Sequence, residues 1–431
     1  MVKNSNCIVA IIKWKVGMTL IENTVVMKKK TGINNQIIYT IIFLIFSLKS
    51  LLSSSYLFYK LADAIDPFFT MLAIALVVMK LWYQKFYRSE LFQWGIIGLC
   101  CVITSLIMKD YNLIITFLLL FSIKNVKIDK VLRVHMLCVS FILAIHIIYF
   151  FFMWIYNKSE IPLNYRDGEV RYGFYMIHPN SFSMYLTWVS LEWIYLHIKK
   201  IQGYQILLLL GINLLCYHFA DSRSSLITLL VTIGMLLAVK YYPVRRLKKM
   251  IYFIAKYGFG IGTALLAFLS FTYTHVGGIV LILYQMFDNF MSRRLMLSTY
   301  VANVYGLSFL GRQVTSHGKI YWNGVWFDTI YLDSAYTALL FGYGVVYAIL
   351  FSVLFYYTAK RISVKKQIFF VAYLFYSFME NYGLNASSCF VPLIVGEILY
   401  RNQTKECKID EDQWMKENVF IPKQKKIVIK W

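Results

Sequence analysis

The side chains best suited to chemistry in this chain are a few arginines, carboxylates and one histidine between long apolar runs. They are Arg166, Arg171, Arg223, Arg293, Arg294, His178, Asp221, Asp333 and Glu380. An arginine guanidinium is planar and binds phosphate through two parallel hydrogen bonds. A carboxylate or a neutral imidazole accepts the proton of an attacking hydroxyl. These residues therefore predict a site that handles phosphate and includes a general base.

The first motif runs from Asn164 to Asn180 and contains Arg166, Arg171 and His178. Pro179 favours a helix start, because the N–H that proline lacks would be unpaired there. His178 and Asn180 would then lie at a helix N-terminus, which attracts anions. The alternative is that the motif only starts a helix, with the arginines paired to Asp167 and Glu169.

The second motif is Asp221-Ser222-Arg223-Ser224-Ser225, which lies between two apolar runs with almost no room for a loop. Charged residues at that depth usually pair with each other or line a wet cavity. Arg223 is therefore either one half of a local clasp with Asp221 or a phosphate ligand in a cavity.

The third motif is a long segment late in the chain. Residues 283–310 show helical periodicity around Arg293 and Arg294, which predicts an amphipathic helix on the membrane surface. The aromatic residues that follow, Trp322 among them, suit either anchoring at the membrane interface or stacking on sugar rings.

Two further carboxylates stand at the ends of apolar runs. Asp333 precedes Ser334-Ala335-Tyr336, and Gly342 and Gly344 follow. Asp333 either caps a helix or takes part in chemistry, and Tyr336 is a candidate substrate contact. Glu380 ends the next apolar run, where a carboxylate is a candidate functional residue.

The elements that must position these residues are membrane helices. The chain has 431 residues, of which 59% are hydrophobic and 15% charged, which excludes an ordinary soluble domain. Continuous apolar runs predict an all-α polytopic protein with about twelve spans. The spans are 36–55, 64–83, 91–108, 111–124, 131–155, 177–198, 203–220, 224–242, 250–272, 330–357, 367–380 and 388–401.

The orientation follows from the lysines, which lie mainly in alternate gaps between the spans. These gaps contain residues 28–30, 80–88, 124–133, 199–200, 240–249, 360–366 and the tail from Arg401. The positive-inside rule places this side in the cytoplasm, together with both termini. The other side then carries two long outer loops, at about 156–176 and 273–329, and the candidate residues. The net charge of +23 is thus explained by topology and anionic lipids, without nucleic acid.

The domain organisation is a single transmembrane bundle over residues 36–401. Residues 1–35 are a cytoplasmic N-terminal segment, and residues 402–431 form a basic cytoplasmic tail. Met27 followed by three lysines would make a natural start, which leaves residues 1–26 as a candidate upstream extension. The seven cysteines show no metal-ligand spacing and are expected to be small apolar residues of a packed bundle, without a disulfide framework.

The chain resembles the Wzy-type polysaccharide polymerases, which are relatives of the O-antigen ligases. The architecture covers most of the chain, and the motifs are short and of moderate specificity. They are Gly173-Phe174, His178-Pro179-Asn180, Asp221-Ser222-Arg223-Ser224, Arg293-Arg294 through Leu310-Gly311, Asp333-Ser334-Ala335-Tyr336 with Gly342 and Gly344, and Glu380. The ligases carry a histidine near the position that matches Asp333, and its absence here favours a polymerase.

The resemblance implies a GT-C-like fold in the bacterial plasma membrane and glycosyl transfer on the outer face, with no metal and no cofactor expected. The substrate would be an oligosaccharide on undecaprenyl pyrophosphate, and membrane lipids, a flippase and a chain-length regulator are further candidate partners. Arg223 with Arg293 or Arg294 would stabilise the departing pyrophosphate, and Arg171 would hold that of the second substrate. His178, Asp333 and Glu380 remain alternative bases. The competing hypotheses are a lipid-linked oligosaccharide flippase and a ligase-like transferase.

Overall fold

The structure, a computed structural model, describes residues 35–400 except 167, 242–243, 315–316 and 323–324, and leaves out the side chains of 89, 317–320 and 322–329. The first eight helices are α1 (Asn35–Ser53), α2 (Tyr59–Trp82), α3 (Arg88–Met108), α4 (Asn112–Ser122), α5 (Ile128–Tyr156), α6 (Pro179–His197), α7 (Gly203–Ala220) and α8 (Arg223–Tyr241). Next come α9 (Arg245–Thr272), α10 (Gly278–Phe290), α11 (Arg294–Tyr305), α12 (Ala335–Thr337), α13 (Val345–Ala359), α14 (Val364–Met379) and α15 (Val391–Tyr400). The predicted terminal segments, 1–35 and 402–431, fall almost wholly outside the described residues.

Two antiparallel hairpins interrupt the helices. The first joins β1 (Leu163–Arg166) to β2 (Glu169–Tyr172), and the second joins β3 (His317–Trp322) to β4 (Val325–Thr329). Both hairpins lie within the two loops that the lysine distribution predicts to be on the outer side.

Seven of the described helices are long and apolar enough to cross a membrane. They are α1, α2, most of α3, α5, α7, α8 and α9 with the turn after it. Four shorter apolar helices, α4, α10, α13 and α15, accompany them. The chain is therefore an all-α multi-pass membrane protein, while twelve spans and a GT-C-like arrangement remain predictions.

Helix α6 is buried along most of its length by α5, α7 and α8. The sequence predicts a span here, yet α6 is not one of the seven candidates. It carries buried polar residues such as Thr187, Ser190 and Glu192. A helix enclosed by other helices can carry hydroxyl and carboxylate groups where those groups find partners. Glu192, for example, lies 2.9 Å from Nδ1 of His135.

The predicted span 330–357 is divided in the structure. The short helix α12 continues as a π-helical segment, Ala338–Tyr343, and ends at Gly344. Gly344 has a φ of +104°, and a Cβ there would lie 2.5 Å from the nitrogen of Gly311. The helix is interrupted because the chain around Gly311 passes the end of the π-helical segment at backbone contact distance. The amide of Arg312 donates to the carbonyl of Gly342 there over 2.9 Å.

The single amphipathic helix predicted over 283–310 is also divided. Helix α10 ends at Phe290, and α11 begins at Arg294. Ser292 and Arg293 between them both have left-handed backbone conformations, with φ of 55° and 63°. A non-glycine residue with positive φ is uncommon, and two in succession form a sharp corner that helical periodicity alone does not reveal.

Packing joins the elements that carry the predicted site. Helix α14 packs against α8 and α9, and α9 also packs against α13 and α11. A smaller apolar cluster that includes Val301, Phe341 and Ala348 ties α11 to the π-helical segment and to α13. These contacts bring chain segments far apart in sequence to one end of the bundle.

Candidate functional site

A cavity of about 230 Å³ opens where the N-terminal ends of α6, α8, α11 and α12 meet the C-terminal end of α14. Its lining residues are Tyr165, Arg166, Arg171, His178, Asn180, Arg223, Ser224, Ser292, Arg294, Asp333, Met379 and Glu380. Eight of the twelve residues that the sequence singles out are among them. Four arginines face two carboxylates, so the lining carries an excess of positive charge.

The first wall of the cavity is the β1–β2 hairpin and the segment that leads to α6. Phe174 and Tyr175 both have left-handed backbone conformations. The carbonyl of Tyr175 accepts from the amide of Tyr56 over 2.8 Å, and the amide of Ile177 donates to the carbonyl of Ser54 over 2.9 Å. The end of α1 therefore fixes the chain immediately before His178.

His178 caps the N-terminus of α6, and Pro179 occupies the first helical position, which confirms the predicted helix start. The backbone N–H of Asn180 donates to Nδ1 of His178 over 3.1 Å. Partial loss of hydration inside the cavity lowers the pKa of His178, and Arg171 lowers it further. The ring is therefore neutral near pH 7, with its proton on Nε2 because Nδ1 is an acceptor.

Arg171 is buried, and its Nε and Nη2 donate to other groups of the protein. Its Nε donates to the carbonyl of Ala220 over 2.8 Å, and Nη2 donates to Oδ1 of Asn180 over 2.7 Å. Nη2 also lies 3.2 Å from the carbonyl of Asp221. Burial lowers the pKa of Arg171, and the neighbouring Arg166 adds to this effect. Arg171 thus caps the last turn of α7 and connects it to the start of α6.

Glu380 is the centre of the polar contacts in the cavity. Its side chain is only 4% exposed, and one oxygen, Oε1, accepts from three other elements. The donors are Nδ2 of Asn180 at 3.2 Å, Oγ of Ser224 at 2.9 Å and Nη2 of Arg294 at 3.0 Å. A buried carboxylate needs such donors, because it has lost its hydration. We call Arg171, Asn180, Ser224, Arg294 and Glu380 the buried network.

Arg294 connects Glu380 to Asp333. Its Nε lies 3.3 Å from Oδ2 of Asp333, and its side chain is 10% exposed. Burial alone would lower the pKa of Arg294, but Glu380 and Asp333 outweigh that effect and raise it. Asp333 is more accessible, with a side chain 41% exposed. Arg294 is consequently a fixed cation, and Asp333 is the accessible carboxylate beside it.

Arg166, Asp221 and Arg223 form a looser group, which we call the open cluster. Asp221 lies 3.8 Å from Nη1 of Arg166 and 3.6 Å from Nε of Arg223, both beyond good hydrogen-bond distance. The side chain of Arg223 is 60% exposed, and Nη2 of Arg166 also donates to the hydroxyl of Ser292. Asp221 has a left-handed conformation, which ends α7 and lets α8 begin two residues later. Arg223 therefore stands at a helix N-terminus, where unpaired backbone N–H groups favour an anion.

Four of the predicted residues are not among the described residues that line the cavity. Asp221 is one of them, although Arg166 and Arg223 on either side of it do line the cavity. Arg293 is exposed at the corner before α11, where its amide donates to the carbonyl of Asp288 over 2.8 Å. Tyr336 is fully buried against Phe259 and Phe378, and its hydroxyl donates to the carbonyl of Leu374. The side chain of Trp322 lies outside the described residues, as does Asp167.

The structure adds four residues that the sequence did not single out: Tyr165, Ser224, Ser292 and Met379. Ser224 belongs to the Asp221–Ser225 motif, and Ser292 directly precedes the paired arginines. In the sequence, their positions within these motifs were the one feature that could have identified Ser224 and Ser292 as site residues. Tyr165 and Met379 carried no such signal, because an exposed tyrosine and an apolar methionine are common in loops and spans.

Within the described residues, no group of three or more His, Cys, Asp and Glu side chains is arranged to hold a metal ion. Comparison of this chain with protein-family models, curated proteins and solved structures found no match.

Proposed function

We propose that this protein polymerises oligosaccharide repeat units carried on undecaprenyl pyrophosphate. It transfers the growing chain from one lipid carrier to a hydroxyl of a second lipid-linked repeat. The observation that carries the proposal is a cavity in a multi-pass membrane protein with an excess of arginine, an incompletely paired arginine cluster and an accessible carboxylate.

The open cluster is the binding site for the departing pyrophosphate. Asp221 lies 3.6 Å from Arg223 and 3.8 Å from Arg166, and Arg166 also donates to Ser292. Arg223 is the more exposed of the two, so its guanidinium can turn to an incoming anion at small cost. The N-terminus of α8 adds backbone N–H groups beside Arg223. Fixed positive charge at this point stabilises the negative charge that develops on the leaving group.

Asp333 is the general base in this proposal. Glu380 accepts three hydrogen bonds on one oxygen and is nearly inaccessible, so an acceptor hydroxyl has little access to it. His178 has its acceptor nitrogen occupied by the amide of Asn180 and presents a donor at Nε2. Asp333 combines an accessible side chain with one fixed partner, Arg294, which holds the carboxylate in position.

The reaction balances with these groups alone. The acceptor hydroxyl oxygen attacks the anomeric carbon of the donor chain, and its proton passes to Asp333. The bond between the anomeric carbon and the pyrophosphate oxygen breaks, and both bonding electrons leave with undecaprenyl pyrophosphate. Arg166 and Arg223 bind that anion, while Arg171 and Glu380 position the surrounding helices and Arg294.

The location that fits this chemistry is the outer side of a bacterial plasma membrane, with both termini in the cytoplasm. The orientation rests on the lysine distribution, which puts the hairpin end of the bundle outside. Lipid-linked repeats reach that side after a flippase has moved them, so a flippase and a chain-length regulator are the expected partners.

The direct test is reconstitution of the purified full-length protein in liposomes with an isolated lipid-linked repeat. We expect a ladder of products that differ by one repeat, with undecaprenyl pyrophosphate released at each step. The Arg223→Ala variant serves as the site control and should give a strongly reduced ladder. A transfer to a non-repeat lipid acceptor in place of a ladder would indicate a ligase.

A flippase is distinguished in cells that lack the gene. Loss of a polymerase leaves single lipid-linked repeats accessible to an impermeant reagent on the outer leaflet. Loss of a flippase leaves them inaccessible until the cells are lysed, and this second outcome would contradict the proposal.

A further inference from the structure

One aromatic side chain in the cavity lining has no role in the chemistry described above. Tyr165 lies in β1 next to Arg166, and 68% of its surface is exposed although it lines the cavity. An aromatic ring left this open in a polar cavity offers an apolar face to a ligand.

The hairpin explains why the ring is presented in this way. Residues alternate between the two faces of a strand, and Asn164 and Arg166 are the half-buried positions of β1. Leu163 and Tyr165 point to the other face, as does Val170, which pairs with Tyr165 in the register. This outward face is apolar, and at Tyr165 it is continuous with the cavity.

We propose that Tyr165 is the sugar-recognition residue of the site and stacks on the sugar bonded directly to the pyrophosphate. This inference rests on the proposed function, since it takes the open cluster as the pyrophosphate site. Arg166 belongs to that cluster, and Tyr165 and Arg166 line the same cavity although their side chains leave opposite faces of β1. The first group beyond the phosphates on that side is a sugar ring, whose C–H face packs on an aromatic face.

If Tyr165 stacks on this sugar, it contributes to the affinity and specificity for the sugar-bearing lipid and contributes nothing to phosphate binding. We expect the contact to change the Kd of the sugar-bearing lipid by up to about tenfold, which corresponds to about 1.4 kcal/mol. Because the face of the ring supplies the contact, phenylalanine or tryptophan at position 165 should retain the affinity for the sugar-bearing lipid.

The test measures binding of three probes to the full-length protein in lipid nanodiscs. The probes are inorganic pyrophosphate, undecaprenyl pyrophosphate, and the lipid-linked oligosaccharide extracted from cells that lack the gene. We expect Tyr165→Ala to weaken binding of the sugar-bearing lipid about tenfold and to leave the other two unchanged. Tyr165→Phe and Tyr165→Trp should bind all three like the native protein. The matched control is Tyr156→Ala, which removes another highly exposed tyrosine away from the cavity lining.

Other outcomes overturn the inference in distinguishable ways. Equal weakening for undecaprenyl pyrophosphate and for the sugar-bearing lipid would assign the ring to the polyprenyl tail. Equal loss in Tyr165→Phe and Tyr165→Ala would assign the contact to the phenolic hydroxyl. If the native protein binds no pyrophosphate, or if Arg223→Ala leaves that binding unchanged, the proposed function fails together with this inference. If Arg223→Ala removes pyrophosphate binding while Tyr165→Ala binds all probes normally, only the role of Tyr165 is lost.

Discussion

The buried network and the open cluster contain the same types of side chain in the same cavity, but they differ in how fully those side chains are paired. In the buried network, Arg294 reaches Glu380 over 3.0 Å, and both side chains are at most 10% exposed. In the open cluster, Arg223 is 3.6 Å from Asp221 and 60% exposed.

This difference separates two uses of an arginine. A buried ion pair with full hydrogen bonding is costly to break, because one partner would be left as an unpaired buried charge. A loosely held, exposed arginine can exchange its carboxylate for a ligand with little loss. We therefore expect changes in the buried network to lower stability and changes in the open cluster to lower activity alone.

The largest effect is expected at the carboxylate between the two groups. Asp333→Asn removes the proposed proton acceptor, while the amide oxygen of the new side chain can still accept from Arg294. We expect the rate of polymer formation to fall by about 10²–10⁴-fold with little change in thermal stability. The rate is measured by product ladder, and Asp63→Asn, which alters an exposed acid on α2, is the control. If the Asp333→Asn variant retained full activity, Asp333 would not be the general base, and His178 and Glu380 would remain the candidates.

The buried network is tested by Glu380→Ala. The substitution leaves Arg294 buried without its main partner and leaves the side chains of Asn180 and Ser224 without their acceptor. We expect a loss of about 3–5 kcal/mol in the free energy of unfolding, seen as a lower Tm in detergent. Glu169→Ala, at an exposed position in β2, should change the free energy by less than about 0.5 kcal/mol. Equal Tm values for the two variants would remove the distinction between the groups.

The open cluster is tested by Arg223→Ala. We expect a loss of activity of about 10²-fold, the size seen when one donor to a developing anion is removed, with an unchanged Tm. Arg223→Lys should recover part of the activity, because lysine restores the charge without the planar fork. Arg88→Ala removes an exposed arginine outside the cavity lining and serves as the control. A fall in Tm with full activity would place Arg223 in a structural clasp with Asp221.

The smallest effect is expected at His178. If the ring acts as a neutral donor through Nε2, His178→Gln retains a donor and most of the activity, whereas His178→Ala loses about tenfold. The pKa of His178 is lowered by its partial burial and by Arg171, so the neutral form predominates at and above pH 7. The rate should therefore show no step from this residue between pH 7 and 8. A step in that range that disappears in His178→Gln would instead identify His178 as a titrating base.

Sequence patterns succeeded where the controlling interaction is local. The start of α6 at Pro179 and the tight turn at Asp221 could both be predicted. A helix start at proline and a two-residue connection depend mainly on neighbouring residues. Patterns failed at the corner of Ser292 and Arg293 and at Gly344. The break at Gly344 depends on contact with the segment around Gly311, which is distant in sequence. The corner depends on local hydrogen bonds to Asp288 that hydrophobic periodicity does not reveal.

The sequence by itself determined that this is a helical membrane protein and which ionisable residues are out of place in it. Hydrophobic length and the position of charge are properties of the chain that hold in any arrangement of the helices. Only the tertiary structure decided how Arg171, Arg223 and Arg294 divide their tasks. Whether a guanidinium is available to bind a ligand depends on which carbonyls and carboxylates surround it. The ends of α7, α8 and α14 supply those groups only once these helices are packed together.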